Sequence, residues 1–174
     1  GVYAVGDVNG GPQFTSVSLD DFRVVLSQLT GEGTRSTRDR VAVPTTVFLT
    51  PPLARVGMSE RDAHASGRPV LVATKEVNAI AAMPRPKIVG ETRGLIKVIV
   101  DAENERVLGA TVFSVDAQEL INLLALAIRE GVSASALRDG IWTHPSATEA
   151  LNEVLAELRP LATQTPSTAR AMRK

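Results

Sequence analysis

The side chains best suited to chemistry lie in the stretch Ile141-Trp-Thr-His144-Pro-Ser-Ala-Thr-Glu149-Ala-Leu-Asn-Glu-Val-Leu155. Histidine is the residue whose unperturbed proton exchange falls near neutral pH, and the chain has only two, His64 and His144. In this stretch Pro145 opens a helix and Glu149 follows about one turn in, so its carboxylate can fold back toward the imidazole. A carboxylate within hydrogen-bond reach favours the imidazolium and fixes the ring orientation. His144 is therefore a candidate proton carrier and Glu149 its orienting partner. The same residues have a plainer reading: Ser146-x-x-Glu149 is also a capping box, in which the glutamate only satisfies backbone amides at a helix start. His64 sits among polar neighbours in a helical stretch and reads as an exposed residue without a role.

A second candidate segment is Gly1-Val-Tyr-Ala-Val-Gly-Asp7. Val2 to Val5 show no polar alternation, the pattern of a short strand buried on both faces of a parallel sheet. It runs into Gly6-Asp7, then a glycine-rich turn at Asn9-Gly-Gly-Pro12, then a helix over Phe14–Leu29 whose apolar residues Val17, Phe22, Val25, Leu26 and Leu29 recur at helical spacing. Alone, Gly-Asp after a strand is an ordinary strand-to-turn junction with the aspartate as a local cap.

With both segments in hand, the chain resembles the C-terminal part of the class I pyridine nucleotide-disulfide oxidoreductases, the flavoprotein disulfide reductases. The residues that carry the resemblance are Gly1–Asp7, Val43-Pro-Thr-Thr-Val-Phe-Leu-Thr-Pro-Pro-Leu-Ala-Arg-Val-Gly57, Gly94-Leu-Ile-Lys-Val98 with Val107-Leu-Gly-Ala110, and His144-Pro-Ser-Ala-Thr-Glu149. The resemblance implies that Gly6 and Asp7 lie at the flavin, with Asp7 accepting a hydrogen bond from the ribityl chain of FAD. It further implies that the amides near Phe14 and Thr15 face the isoalloxazine, where a helix N-terminus stabilises negative charge. His144 is implied as the acid-base residue that exchanges a proton with the interchange thiol, with Glu149 holding its ring. In such enzymes the pair serves the flavin and dithiol of the other subunit of a homodimer, and electrons pass from NAD(P)H to FAD to a cysteine pair. The family's usual His-Pro-Thr-x-x-Glu carries Ser146 in the threonine position here, which keeps the hydroxyl. The Gly-Gly-Pro-Gln-Phe-Thr segment resembles the mercuric-reductase-like and hypochlorite-responsive branch more than glutathione reductase. The electron acceptor stays open among a disulfide, a metal ion, a quinone and oxygen.

Composition bounds the alternatives. At 174 residues with 44% hydrophobic content, the chain can build one core of ordinary size plus part of a second unit. Its 19 basic and 19 acidic residues cancel, which argues against a phosphate-neutralising nucleic-acid surface. No apolar run is long enough to span a bilayer and no signal-peptide pattern is present, so a cytoplasmic protein is expected. Without cysteine, disulfides and thiolate metal sites are excluded, and no metal site is assigned. The redox cysteines and the upstream dinucleotide motifs of the family are absent, so the chain is expected to be an excised C-terminal piece, inactive alone and unable to retain FAD.

The remaining pattern predicts an α+β fold: a small antiparallel sheet with helices, preceded by a strand-helix remnant of an FAD-binding domain. Residues 1–40 form that remnant and a polar linker with Arg35, Arg38 and Arg40 solvated; 41–160 form the dimerisation domain; 161–174 form a disordered tail. A first strand spans Thr45–Leu49 and ends at Pro51-Pro52. A helix capped by Ser59 runs to Gly67, a strand covers Val70–Val77, and the segment to Pro86 is one-turn or irregular. Strands at Leu95–Val100 and Arg106–Phe113 make a central hairpin, Gly109 marking a bulge or close backbone approach. Asp116-x-x-Glu119 forms a capping box at the head of a helix that is apolar on more than one face, buried against its own sheet and a partner chain. A turn at Ser133–Leu137 follows, and a last helix over Ala147–Leu158 ends at Pro160. Beside the reductase reading stands a self-associating structural module in which His144 and Glu149 have no catalytic role.

Overall fold

The computed structural model describes residues 1–31 and 33–162. The chain divides into two compact units, Gly1–Val43 and the residues from Pro44 onward.

The first unit is built on one helix. Val5 is extended and Gly6–Asn9 forms a single 3-10 turn, after which α1 spans Thr15–Thr30 with Phe14 as its N-cap. The strand expected at Val2–Val5 does not form: these residues pair with nothing among the described residues, and Val2 is fully exposed. A strand meant for burial on both faces needs neighbours, and this unit offers none. The linker also departs from expectation. Arg35 and Arg40 fold back onto α1, Arg35 to Asp20 and Arg40 to both Asp20 and Asp21, while Ser36 and Asp39 form a reciprocal capping box around a short turn at Thr37–Asp39.

The second unit is the expected α+β fold: a six-stranded antiparallel sheet with helices on it. Strands β1 (Thr45–Val47), β2 (Leu53–Gly57), β3 (Val70–Glu76), β4 (Leu95–Asp101), β5 (Val107–Phe113) and β6 (Arg159–Pro160) lie in the order β1-β2-β5-β4-β3-β6. The hairpin β4–β5 is central, joined by a turn that buried Asp101 organises by accepting the Glu103 and Asn104 amides at 2.9 and 3.3 Å. The pairing of Ala110 with both Val98 and Val56, and of Val98 with Ala73, puts these four small or β-branched residues on one buried face.

Helix α4 (Ala117–Glu130) covers that face over β2 and β5, burying Leu120, Ile121 and Leu124. Each fully buried leucine or isoleucine contributes about 2 kcal/mol relative to exposure. Helix α6 (Ala150–Val154) covers the same face over β3 and β4, burying Ala150, Leu151 and Val154. On the opposite face α2 (Glu60–Ser66) sets Ala63 against Val70 and Ile99. Two further helices are short, α3 (Arg85–Val89) and α5 (Ala134–Arg138). Gly109 is a site of close approach: a Cβ there would meet the Met58 carbonyl oxygen at 2.0 Å. The bulge beside it shifts the β4–β5 register between Ile99 and Val100.

Several boundaries differ from the pattern reading. The first strand stops at Val47, and the first strong strand of the sheet is β2, which follows the two prolines. Asp116 does not form a capping box: its φ is +58°, its side chain makes no cap hydrogen bond, and its carboxylate pairs with Arg85 at 2.9 Å. The last helix begins only at Ala150, so Pro145 lies in an irregular turn before it and opens no helix. Pro160 does not end the fold, since Arg159 and Pro160 pair with β3 and the Leu161 amide donates to the Val70 carbonyl at 3.0 Å. Of the tail expected at 161–174, residues 163–174 lie outside the described residues.

Candidate functional site

His144 and Glu149 meet just before α6. Glu149 is already helical in backbone, φ −57° and ψ −21°, and buried Ala150 and Leu151 follow it directly. Its carboxylate serves two donors, one per oxygen: Oε1 lies 2.8 Å from His144 Nδ1 and Oε2 accepts the Ser146 amide at 2.8 Å. The amide half of the capping box therefore forms, but the Ser146 hydroxyl is buried without a hydrogen-bond partner among the described residues, so the hydroxyl half does not. The two readings of Ser146-x-x-Glu149 coexist in one side chain.

The geometry separates the roles. The Glu149 side chain is 15% exposed and the His144 side chain 71% exposed. The carboxylate thus anchors one nitrogen of a ring whose other edge faces outward. The hydrogen bond from His144 is the foremost cause that holds the Glu149 carboxyl below its ordinary value; burial opposes it and the Ser146 amide adds to it. A carboxylate accepting from Nδ1–H leaves the ring's unprotonated nitrogen at Nε2, free to take or give a proton.

Sequence reading missed the cation that the next two glutamates share. Lys75 on β3 reaches both Glu153 and Glu157, and Glu153 also accepts the Ala82 amide at 2.9 Å. The hydrogen bonds Lys75 donates to Glu153 and then Glu157 raise its pKa above the ordinary value. The signal was present as an acidic row, Glu149, Glu153 and Glu157 at four-residue spacing, but its cation is some 80 residues away in sequence.

In the first unit the other candidates group around a different carboxylate. Asp21, 3% exposed, accepts the Gly6 amide and the Asn9 side-chain amide on one oxygen, each at 2.7 Å, and Arg40 on the other. The Arg40 hydrogen bond, then the Gly6 amide, hold its carboxyl below the usual range. Gly6 has φ +73°, a conformation that favours glycine. Asp7 is exposed, and no hydrogen bond to its carboxylate is present among the described residues. The Phe14 amide is engaged by the Pro12 carbonyl at 3.0 Å, whereas Thr15 begins α1. Among the described residues no group of three or more His, Cys, Asp or Glu side chains could hold a metal ion, and no helix is long and apolar enough to cross a membrane.

Comparison with known proteins decides the family. The pyridine nucleotide-disulphide oxidoreductase dimerisation domain matches residues 43–155. The chain belongs to this family. It is 49% identical over 155 residues to the Escherichia coli (strain K12) protein named "Probable pyridine nucleotide-disulfide oxidoreductase RclA", covering 89% of this chain and 34% of that protein. It is 35% identical to dihydrolipoyl dehydrogenase 2 of Haloarcula marismortui, covering 94% of this chain and 34% of the relative. The solved structure of the HOCl-induced flavoprotein disulfide reductase RclA from Escherichia coli superposes with a TM-score of 0.85 over 89% of this chain and 35% of that one. The chain thus spans about a third of the length of these relatives. The family resemblance read from the sequence holds, and the six-stranded sheet with its helices is that of a reductase dimerisation domain.

Proposed function

We propose that this chain is the dimerisation domain and flavin-edge segment of an FAD-dependent NAD(P)H oxidoreductase of the disulfide reductase type, and that His144 and Glu149 are its acid-base pair. In this reading residues 1–40 belong to the FAD-binding domain and 41–160 to the dimerisation domain. The observation that carries the reading is the 2.8 Å contact from Nδ1 to an oriented carboxylate beneath a 71% exposed ring. A residue that served only as a helix cap would need neither the exposed imidazole nor the second oxygen.

FAD, when bound, would take up reducing equivalents from NAD(P)H and pass them to a disulfide, reducing it to a dithiol. The residues present fit the group: Asp7 offers a carboxylate unengaged among the described residues as acceptor for a ribityl hydroxyl, and the first amides of α1 at Thr15 offer a positive helix end. Thiolate, not thiol, is the attacking species in disulfide exchange. His144 would store the thiol proton at Nε2 and return it to the leaving sulfur, with Glu149 stabilising the charged ring between the two transfers. Self-association of a dimerisation domain would bring this edge to a partner copy, and exposed Phe48, Ile88 and Ile141 supply apolar surface for such contact.

The test is His144→Gln in the FAD-loaded flavoprotein that contains this chain. Disulfide reduction is expected to fall by about 10²- to 10⁴-fold, with FAD binding and dimerisation unchanged. Turnover near that of the unaltered protein would remove the acid-base role and leave a self-associating structural module.

A further inference from the structure

The loop that delivers His144 is gripped at both ends by the same turn of α6. At one end Glu149 holds the imidazole. At the other, Asn152 uses both hydrogens of its side-chain amide, donating to the Arg138 carbonyl at 2.6 Å and the Gly140 carbonyl at 2.9 Å. Those carbonyls lie at the end of α5 and in the strand-free segment beyond it, where the helix leaves acceptors without intrahelical donors. The Trp142 indole N–H adds a third contact, donating to the Leu137 carbonyl at 3.1 Å. Its ring lies over Gly140 so closely that a Cβ there would meet the indole at 2.6 Å. The Asn152 amide itself donates to the Glu149 carbonyl at 3.2 Å, so the two gripping side chains share one rigid step of backbone.

We propose that Asn152 is a positioning residue for His144: by tying Gly140 to the turn that carries Glu149, with Trp142 closing the loop from above, it fixes the span from Gly140 to His144 and aims the imidazole at its carboxylate. The functional meaning of the clamp rests on the acid-base reading, but its effect on the ring does not. Three hydrogen bonds to backbone carbonyls select one path for a loop that has no regular structure of its own. Without them the His144–Glu149 contact must bear the whole entropy of ordering that loop.

The test reads the imidazole directly in this chain. In long-range 1H–15N spectra at mildly alkaline pH, His144 is expected to carry its proton on Nδ1, bonded to Glu149, with His64 as internal reference. In Asn152→Ala the Nδ1–H share should fall by about half or more, toward the mixture of an unrestrained histidine, while His64 signals stay in place. Trp142→Phe keeps the ring over Gly140 but removes one donor, and should give a smaller change in the same direction. If Asn152→Ala does not fold, the Trp142→Phe spectrum decides alone. An unchanged His144 tautomer in the folded variants overturns the clamp. That outcome is distinct from failure of the acid-base reading, which would appear as normal turnover in His144→Gln whatever the ring does in Asn152→Ala.

Discussion

At His144 and Glu149 the polar pair stands on an apolar floor supplied by its own unit: Ala150, Leu151 and Val154 are fully buried beneath it. At Gly6 and Asp7 the support is a single buried carboxylate, Asp21, and the neighbouring Val2, Tyr3 and Val5 are exposed. The two segments therefore rely on different forces. Packing holds the helix end that carries Glu149, while the Asn152 and Trp142 hydrogen bonds hold the loop that carries His144. Hydrogen bonds and an ion pair hold the second, so its geometry depends on one side chain. A carboxylate on a packed helix end keeps its place when one polar contact is lost, whereas a turn organised by a lone carboxylate does not.

The contrast is broken most forcefully from below. Leu151→Ala should cost about 3 kcal/mol through lost burial and the cavity left behind, read as a lower midpoint in urea unfolding of this chain. A cost under about 1 kcal/mol would mean that α6 is not anchored in the core. In the other unit, Asp21→Ala removes the partner of Arg40, Asn9 and the Gly6 amide together. A cost of about 1 to 3 kcal/mol is expected, and hydrogen exchange should quicken at Gly6. Unchanged protection there would show that the 3-10 turn at Gly6–Asn9 does not need its carboxylate.

These differences also explain which parts were legible beforehand. The central hairpin, the helix over Glu60–Ser66 and the apolar face of α6 could be read because their signals are local: two strand runs joined by a short polar connection, a Ser59 cap with Gly67 beyond it, and apolar residues at helical spacing. Strand β2 was hidden because Pro51 and Pro52 precede it, although Ala54 and Val56 buried between half-buried Leu53 and exposed Arg55 is the alternation of a half-buried strand. The false capping box at Asp116 and the solvated linker at Arg40 failed for one shared reason. Each charge spends itself on a partner far along the chain, Asp116 on Arg85 and Arg40 on Asp20 and Asp21. At the candidate site, the His144–Glu149 contact was visible because the two residues are five apart. Lys75 and Asn152 were not, since their partners are set by the fold.

A third prediction sharpens the comparison at the level of assembly. The described residues of the second unit leave Phe48 78% and Ile141 101% exposed, which is costly for a monomer in water. Sedimentation at micromolar concentration should show a dimer that weakens on Phe48→Glu, and a monomer throughout would leave that apolar surface without a partner copy.

The smallest expected effect comes from pH, and its sign follows from Glu149. The His144 hydrogen bond, first, and the Ser146 amide hold this carboxyl below its ordinary value of 4.5 in the folded chain. The folded form therefore binds a proton less readily than the unfolded form, and the group contributes stability that is fully present above about 4.5. That contribution is lost as pH falls through the lower folded value. Glu149→Gln cannot titrate, so the stability gap between the two proteins should be level at neutral pH and narrow progressively under acid. The measurement is urea unfolding at a series of pH values. A gap that stays constant into strong acid would mean that the carboxylate's charge contributes nothing. Together with an intact His144 tautomer in the glutamine variant, that result would reduce the pair to an uncharged hydrogen bond on a helix end.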